Sequence, residues 1–199
     1  MTPDFATSPP VGRIARPPVP DAEKLTLLPL RLFLSALHDQ ITPAVHDQIQ
    51  AQFAPYLTTA THPALVTNAL IELLCTTSLI NTPRPVAERH IGRLVLTEYR
   101  NSILGRVLVG MLTHVPHETL LRRLPRDYAA FSNYGTRSIT PLAPTHWRFT
   151  CEDEIVPPDY MAGMLEAGND VIRLPNLRIT PQALAPHSFA FDLHWDEGK

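Results

Sequence analysis

The chain is 199 residues long and 44% hydrophobic, with a formal net charge of −2 and a pI near 6.5. That length suits one domain with a sizeable core, and the near-neutral charge excludes an overall field able to hold nucleic acid or an anionic membrane. No apolar run approaches the roughly 20 residues of a membrane span, no apolar signal segment opens the chain, and Cys75 and Cys151 are too few for a disulfide framework, so a cytoplasmic protein with buried, reduced thiols is expected.

Proline is about twice as frequent as usual, with 21 residues, six of them within the first 20 positions. Residues 1–21 therefore read as a disordered tail and 22–199 as a single domain, mainly helical over 22–133 and sheet-forming over 134–195. Leu25, Leu28, Leu32, Phe33, Leu34 and Leu37 predict a helix over 22–39 that is apolar nearly all round. Thr42-Pro43 starts the next helix, a hydroxyl cap followed by proline at the first helical position, and Val45, Ile49, Phe53 and Tyr56 continue it. Pro63 opens a helix in which Leu65, Leu70, Ile71, Leu73, Leu74 and Cys75 predict a central position. A helix over 86–100 turns Ile91, Leu94, Val95 and Tyr99 inward. Asn101 or Ser102 caps another, which is expected to bury Ile103, Leu104, Val107, Leu108, Met111 and Leu112. Gly105 and Gly110 weaken it by up to about 1 kcal/mol each, which marks close packing or the flank of something bulky. A short helix over 117–124 is closed by Pro125.

The hydrophobic period then changes from helical to alternating. Thr136 to Thr140 and His146 to Cys151 predict a hairpin around Pro141 to Pro144, with Trp147, Phe149 and Cys151 on one face. Glu152, Asp153 and Glu154 suit a solvated acidic loop. Pro157-Pro158 opens a helix ending near Ala167, with Gly168 at the position after the cap. A strand over 171–179, bent at Pro175, precedes the closing strand over 189–195. There Phe189, Phe191, Leu193 and Trp195 share one face and Ala190, Asp192 and His194 the other. If that second face is covered, Asp192 and His194 need partners on it. Helices followed by a β-β-α-β-β unit predict an α+β fold, an N-terminal helical bundle packed on a small antiparallel sheet.

Several short pieces recur in a familiar order: Ile91-Gly92-Arg93 with Gly105-Arg106, Pro125 with Tyr128, Tyr134-Gly135 with Arg137-Ser138, Pro157-Pro158 with Tyr160, Gly163 and Leu165, and the aromatic strand ending in Trp195. In this the chain resembles, from Leu30 to Trp195, an uncharacterised family expanded in myxobacteria, the domain of unknown function numbered twenty-three seventy-eight. It is more distantly similar to the superfamily of haem nitric-oxide-binding, vinyl-reductase-like and TRAPP-like domains, a likeness of fold that does not carry function with it.

The haem sensors of that superfamily use a helical histidine on the iron and a Tyr-x-Ser-x-Arg strand on the haem carboxylates. In Tyr134-Gly135-Thr136-Arg137-Ser138 the arginine comes one residue early, and strand alternation turns it to the face opposite Tyr134. Arg137 is better read as the partner of an acidic residue, and nothing singles out His90, His114 or His117 as an axial ligand. His114 and His117 are separated by the helix-breaking Pro116, and His38-Asp39 and His46-Asp47 are isolated pairs, so no metal site is expected. Arg122, Arg123 and Arg126 suit the negative end of a helix. No nucleophile elbow or phosphate-binding glycine loop is present.

The expectation is a non-enzymatic sensory or regulatory domain that binds a small apolar ligand, a protein partner, or both. Gly105, Gly110, Tyr134, Trp147, Tyr160 and Gly163 are the candidate ligand wall, and ordinary packing is the competing explanation for each. No cofactor is expected, haem being the one that the distant likeness allows. The second reading is a homodimeric interaction module joined through the apolar helix at 25–37, and the third is an enzyme of unrecognised type.

Overall fold

A computed structural model describes residues 11–28 and 30–197. The chain enters on a short strand, β1 (Val11–Ile14), and reaches a two-residue strand, β2 (Leu25–Thr26). α1 (Leu30–Leu37) and α2 (Pro43–Leu57) follow, then β3 (His62–Pro63), which pairs with β2, and α3 (Ala64–Thr76). α4 (Arg84–Asn101), α5 (Ile103–Leu112) and α6 (His117–Ala129) complete the helical part. β4 (Thr136–Ala143), β5 (His146–Glu152), α7 (Pro158–Ile172), β6 (Arg178–Ala185) and β7 (Ser188–His194) complete the chain. The result is the expected α+β architecture, helices packed on an antiparallel sheet of order β1-β4-β5-β7-β6.

Register follows from the alternation of apolar side chains. Ile139, Phe149 and Phe191 lie side by side across β4, β5 and β7, as do Trp147 with Leu193 and Cys151 with Phe189. These residues face inward, against Leu121 and Leu124 of α6 and Met161, Ala162 and Leu165 of α7. A second core joins α1, α2, α3 and α4 through Phe33, Leu37, Ile49, Phe53, Leu70, Ile71, Ile91 and Val95. α7 supplies Tyr160 and Met164 to this core and Met161 and Leu165 to the other, so it lies between the two.

α4 is the helix most enclosed by others, touching α1, α3, α5 and α7. Its crossing with α7 needs two glycines. A Cβ at Gly163 would run into the Arg89 carbonyl, and one at Gly92 into the Tyr160 carbonyl. The backbones therefore pack closer than any larger residue permits.

Several boundaries differ from the sequence reading. Of the segment assigned to a disordered tail, residues 1–10 lie outside the described residues, but Val11–Ile14 is an edge strand on β4. Gly12, at φ 65°, lets it pass against the Arg122 carbonyl of α6. α6 continues through Pro125 to Ala129, with Leu124, Pro125 and Ala129 buried, so packing outweighs the one lost helical hydrogen bond. α7 ends at Ile172 rather than near Ala167. Asn169 sets that end: its carboxamide bonds both the N–H and the carbonyl of Leu174, at 2.9 and 3.1 Å, while Arg173 takes the left-handed conformation. The third strand of the β-β-α-β-β unit is consequently Arg178–Ala185, and its Pro181 is accommodated because β6 is a sheet edge.

The apolar residues of two helices are also redistributed. Leu30, Phe33 and Leu37 of α1 are buried within the chain, Leu32 and Leu34 are half-buried, and Leu25 and Leu27 ahead of the helix are exposed. α5 was expected to be buried, but Ile103, Leu104 and Met111 are 78%, 66% and 71% exposed. Cys75 and Cys151 are both free, and burial pushes both thiols up. No helix among the described residues is long and apolar enough to cross a membrane.

Candidate functional site

α5 covers one concavity of the molecule without filling it. Ser102 starts the helix, its hydroxyl accepting a hydrogen bond from the Gly105 N–H at 3.1 Å. Gly105 is then pressed against the end of α4, where a Cβ would meet the Tyr99 carbonyl. This pins the first turn of α5 and leaves its inner face spanning a gap above α6 and α7. The gap is an apolar cavity of about 140 Å³. Leu108, Val109 and Leu112 form its roof, Leu120 and Leu124 one wall, and Leu165, Gly168 and Ile172 the floor.

A smaller chamber of about 60 Å³ lies behind it. Leu96, Tyr99, Tyr128, Phe131 and Met164 line both spaces. The inner chamber adds polar groups: Ser132, Tyr134, Arg137, Glu154 and Tyr160. Arg137 is buried and forms an ion pair with the equally buried Glu154. It also donates to the Ser132 hydroxyl and the Tyr134 carbonyl, at 3.1 and 3.0 Å. Burial opposes the Arg137 charge, but the Glu154 carboxylate outweighs it and the guanidinium is held protonated. Burial, then the Glu154 charge, pushes the Tyr134 phenol well up. The fully buried Tyr160 ring stacks on Phe33 with centroids 6.0 Å apart, and its hydroxyl has no hydrogen-bond partner.

The sequence candidates separate accordingly. Gly105 lines the outer chamber, and Tyr134 and Tyr160 line the inner one. Gly110 faces open space, with no atom within 4 Å of an added Cβ. Gly163 is used by the α4 crossing, and Trp147 belongs to a separate surface hollow with Trp195, where Arg122 lies 5.2 Å over its ring. Glu154 departs from the solvated loop that its acidic neighbours suggest, because the structure buries it. Its signal was indirect: Arg137 on the inward face of β4 required an acidic partner. The separation of Tyr134 from Arg137 by strand alternation also fails. Gly135, at φ 76°, precedes β4 and breaks the alternation, so the Arg137 guanidinium lies 5.7 Å from the Tyr134 ring centre.

In fold the protein is similar to H-NOX domains. An oxygen-binding H-NOX domain related to soluble guanylate cyclases aligns with a TM-score of 0.60 at 8% identity, covering 84% of this chain and 93% of that one. An H-NOX protein from S. oneidensis in the Fe(II)NO state aligns at 0.58 and 10% identity, covering 84% and 99%. A mutant H-NOX domain from Shewanella oneidensis in the Fe(II)CO state aligns at 0.62 and 8% identity, covering 86% and 99%.

The residues of the two chambers do not fit haem. Haem iron takes an axial imidazole, thiolate, thioether or phenolate, and neither chamber has a histidine or cysteine in its lining. Burial pushes the Tyr99 and Tyr128 phenols up, which opposes a phenolate ligand. The Met164 thioether has no imidazole to share an iron with. Arg137, the cation nearest in place to a carboxylate grip, is already neutralised by Glu154. The outer space, at about 140 Å³, is well below the roughly 300–1,000 Å³ of sites for larger ligands.

No curated protein matches the chain in sequence. Its residues 31–196 match the family described as "Protein of unknown function (DUF2378)", and across that span the chain belongs to this family.

Proposed function

We propose that the protein is a non-enzymatic sensory or regulatory domain that holds a small apolar molecule in the outer chamber beneath α5. The observation that carries this reading is the cavity itself, apolar and about 140 Å³ in volume. An enclosed apolar protein cavity of about 150 Å³ takes up benzene or xenon, and the half-open space beneath α5 has a similar volume and lining. Its apolar walls offer water few hydrogen bonds, so a ligand of that size is bound by contact and by release from water. The Tyr160 hydroxyl, unpartnered in the lining of the inner chamber, offers one donor to a ligand that extends from the outer chamber into the inner one. The likeness to domains studied as oxygen, Fe(II)NO and Fe(II)CO complexes supports a small-molecule sensor on this fold. α5 also carries the exposed Ile103, Leu104 and Met111. Occupancy of the chamber and docking of a protein partner therefore act on one helix, which is how the signal would leave the domain. The cytoplasm is the compartment this reading assumes.

Benzene titration followed by thermal unfolding and by amide chemical shifts tests the proposal. Benzene is expected to raise Tm and to shift α5 and α7 resonances, and Val109→Trp, which fills the chamber, is expected to abolish both effects. No response in the native protein would overturn it. A visible spectrum and native mass of freshly purified protein test the haem alternative: a Soret band with the mass of haem would replace the apolar-ligand reading. Tyr160→Phe is expected to leave stability unchanged or slightly raised, because it removes a buried, unsatisfied hydroxyl.

A further inference from the structure

The outer face of the sheet, remote from both chambers, assembles a different set of groups. His146 begins β5 and His194 ends β7, and the strand register sets them directly opposite each other. Their rings stack with centroids 3.7 Å apart and planes 22° from parallel. Asp192 lies two residues before His194 on the same face, opposite Arg148 of β5. One ligand atom from each of His146, Asp192 and His194 lies within 4.8 Å of the other two. His146 Nε2 is 3.4 Å from Asp192 Oδ1, yet it is shielded from solvent and makes no hydrogen bond. We propose that His146, Asp192 and His194 form a binding site for a divalent transition-metal ion of the zinc, nickel or copper(II) class.

The donor set argues for that class. Two imidazoles and one carboxylate suit borderline ions, whereas calcium and magnesium take all-oxygen shells. The backbone fixes the three side chains before any ion arrives, because cross-strand pairing and a two-residue step place them on one sheet face. The carboxylate is also oriented. Arg148 donates to its two oxygens at 2.8 and 3.1 Å, and Gln182 of the neighbouring strand β6 donates to Oδ2. Such outer partners are what ligating carboxylates have in metal sites. The remaining nearby cation, Arg178, is opposite His194 and is drawn toward Asp196 at 3.4 Å. Two imidazole nitrogens bound to one tetrahedral zinc lie about 3.3 Å apart, given Zn–N distances near 2.05 Å. Imidazole lone pairs lie in the ring plane, so the two rings open their stack when both bind one ion. Three protein ligands leave a coordination position for water or an external group.

Zinc titration by calorimetry on the full chain, with a cobalt(II) optical spectrum of the same protein, provides the test. Saturable uptake of one ion per chain is expected, with visible cobalt bands and selective shifts of the His146 and His194 ring resonances. His146→Ala and His194→Ala are each expected to weaken binding at least tenfold, whereas His46→Ala on α2 leaves it unchanged. The ring resonances of the unaltered protein keep the test independent of how well the variants fold. Absence of saturable uptake, or uptake that leaves those two rings unmoved, would overturn the site.

Discussion

Two consecutive helices, α4 and α5, have opposite relations between composition and place. α4 carries arginines and glutamates along its length, yet it is enclosed by four other helices. α5 is apolar but for Arg106, and it lies on the surface with Ile103, Leu104 and Met111 in solvent. The difference lies in backbone approach and pairing. Gly92 lets α4 come against the α7 backbone, and its buried Glu88 is satisfied by Arg84 at 2.7 Å. Gly105 brings only the first turn of α5 to α4, and the rest of the helix bridges a cavity. A helix becomes central by close contact on several sides, and apolar content alone does not secure that.

The comparison can be broken most severely at the crossing. Gly163→Val forces a side chain into the Arg89 backbone and is expected to cost more than about 4 kcal/mol. Urea unfolding should find little folded protein. Glu154→Leu leaves the Arg137 charge buried without its partner and is expected to cost about 3–4 kcal/mol. Denaturant midpoints measure that loss.

A smaller effect is conditional on pH. Burial pushes His62 down to about 4, and its ring is hydrogen-bonded to Thr67 at 2.8 Å. An unfolded histidine titrates near 6.5. Between these values the unfolded chain binds the extra proton, so the contribution is complete above pH 6.5 and is lost as pH falls toward 4. The loss approaches about 3 kcal/mol at the low end. His62→Gln should flatten stability over that window, measured as Tm against pH. The smallest effect belongs to α5: Leu104→Ser and Met111→Ser are expected to change stability by less than about 0.5 kcal/mol. A larger loss for either would show that its side chain is covered in solution.

The parts legible in the sequence were those where one physical signal dominates. Alternation in β5 and β7 placed Trp147, Phe149, Phe189, Phe191 and Leu193 on the inner face, and Thr42-Pro43 marked the start of α2, where the Thr42 hydroxyl accepts from the Val45 N–H. β1 carried no such signal, since its four residues include Gly12 and Arg13 and its pairing partner lies far along the chain. β6 was hidden by Pro181 and by its lack of large apolar residues on one face, most of its positions being exposed. The end of α7 depended on the side chain of Asn169, which a reading centred on Gly168 passed over. Of the candidate wall, Tyr134 and Tyr160 meet in one chamber because Gly135 turns the chain before β4, a local geometry that simple strand alternation does not represent.

α7 has a consequence for how the molecule comes apart. Tyr160 and Met164 are bound into the helical core, Met161 and Leu165 into the sheet core, within a single turn and a half of one helix. Detaching either core strips one side of that helix and exposes the other, so the two halves cannot melt in sequence. Unfolding should proceed as one cooperative event. The slowest-exchanging amides of the whole chain should cluster in the middle of α7 and in the facing turn of α4, both opening only with global unfolding.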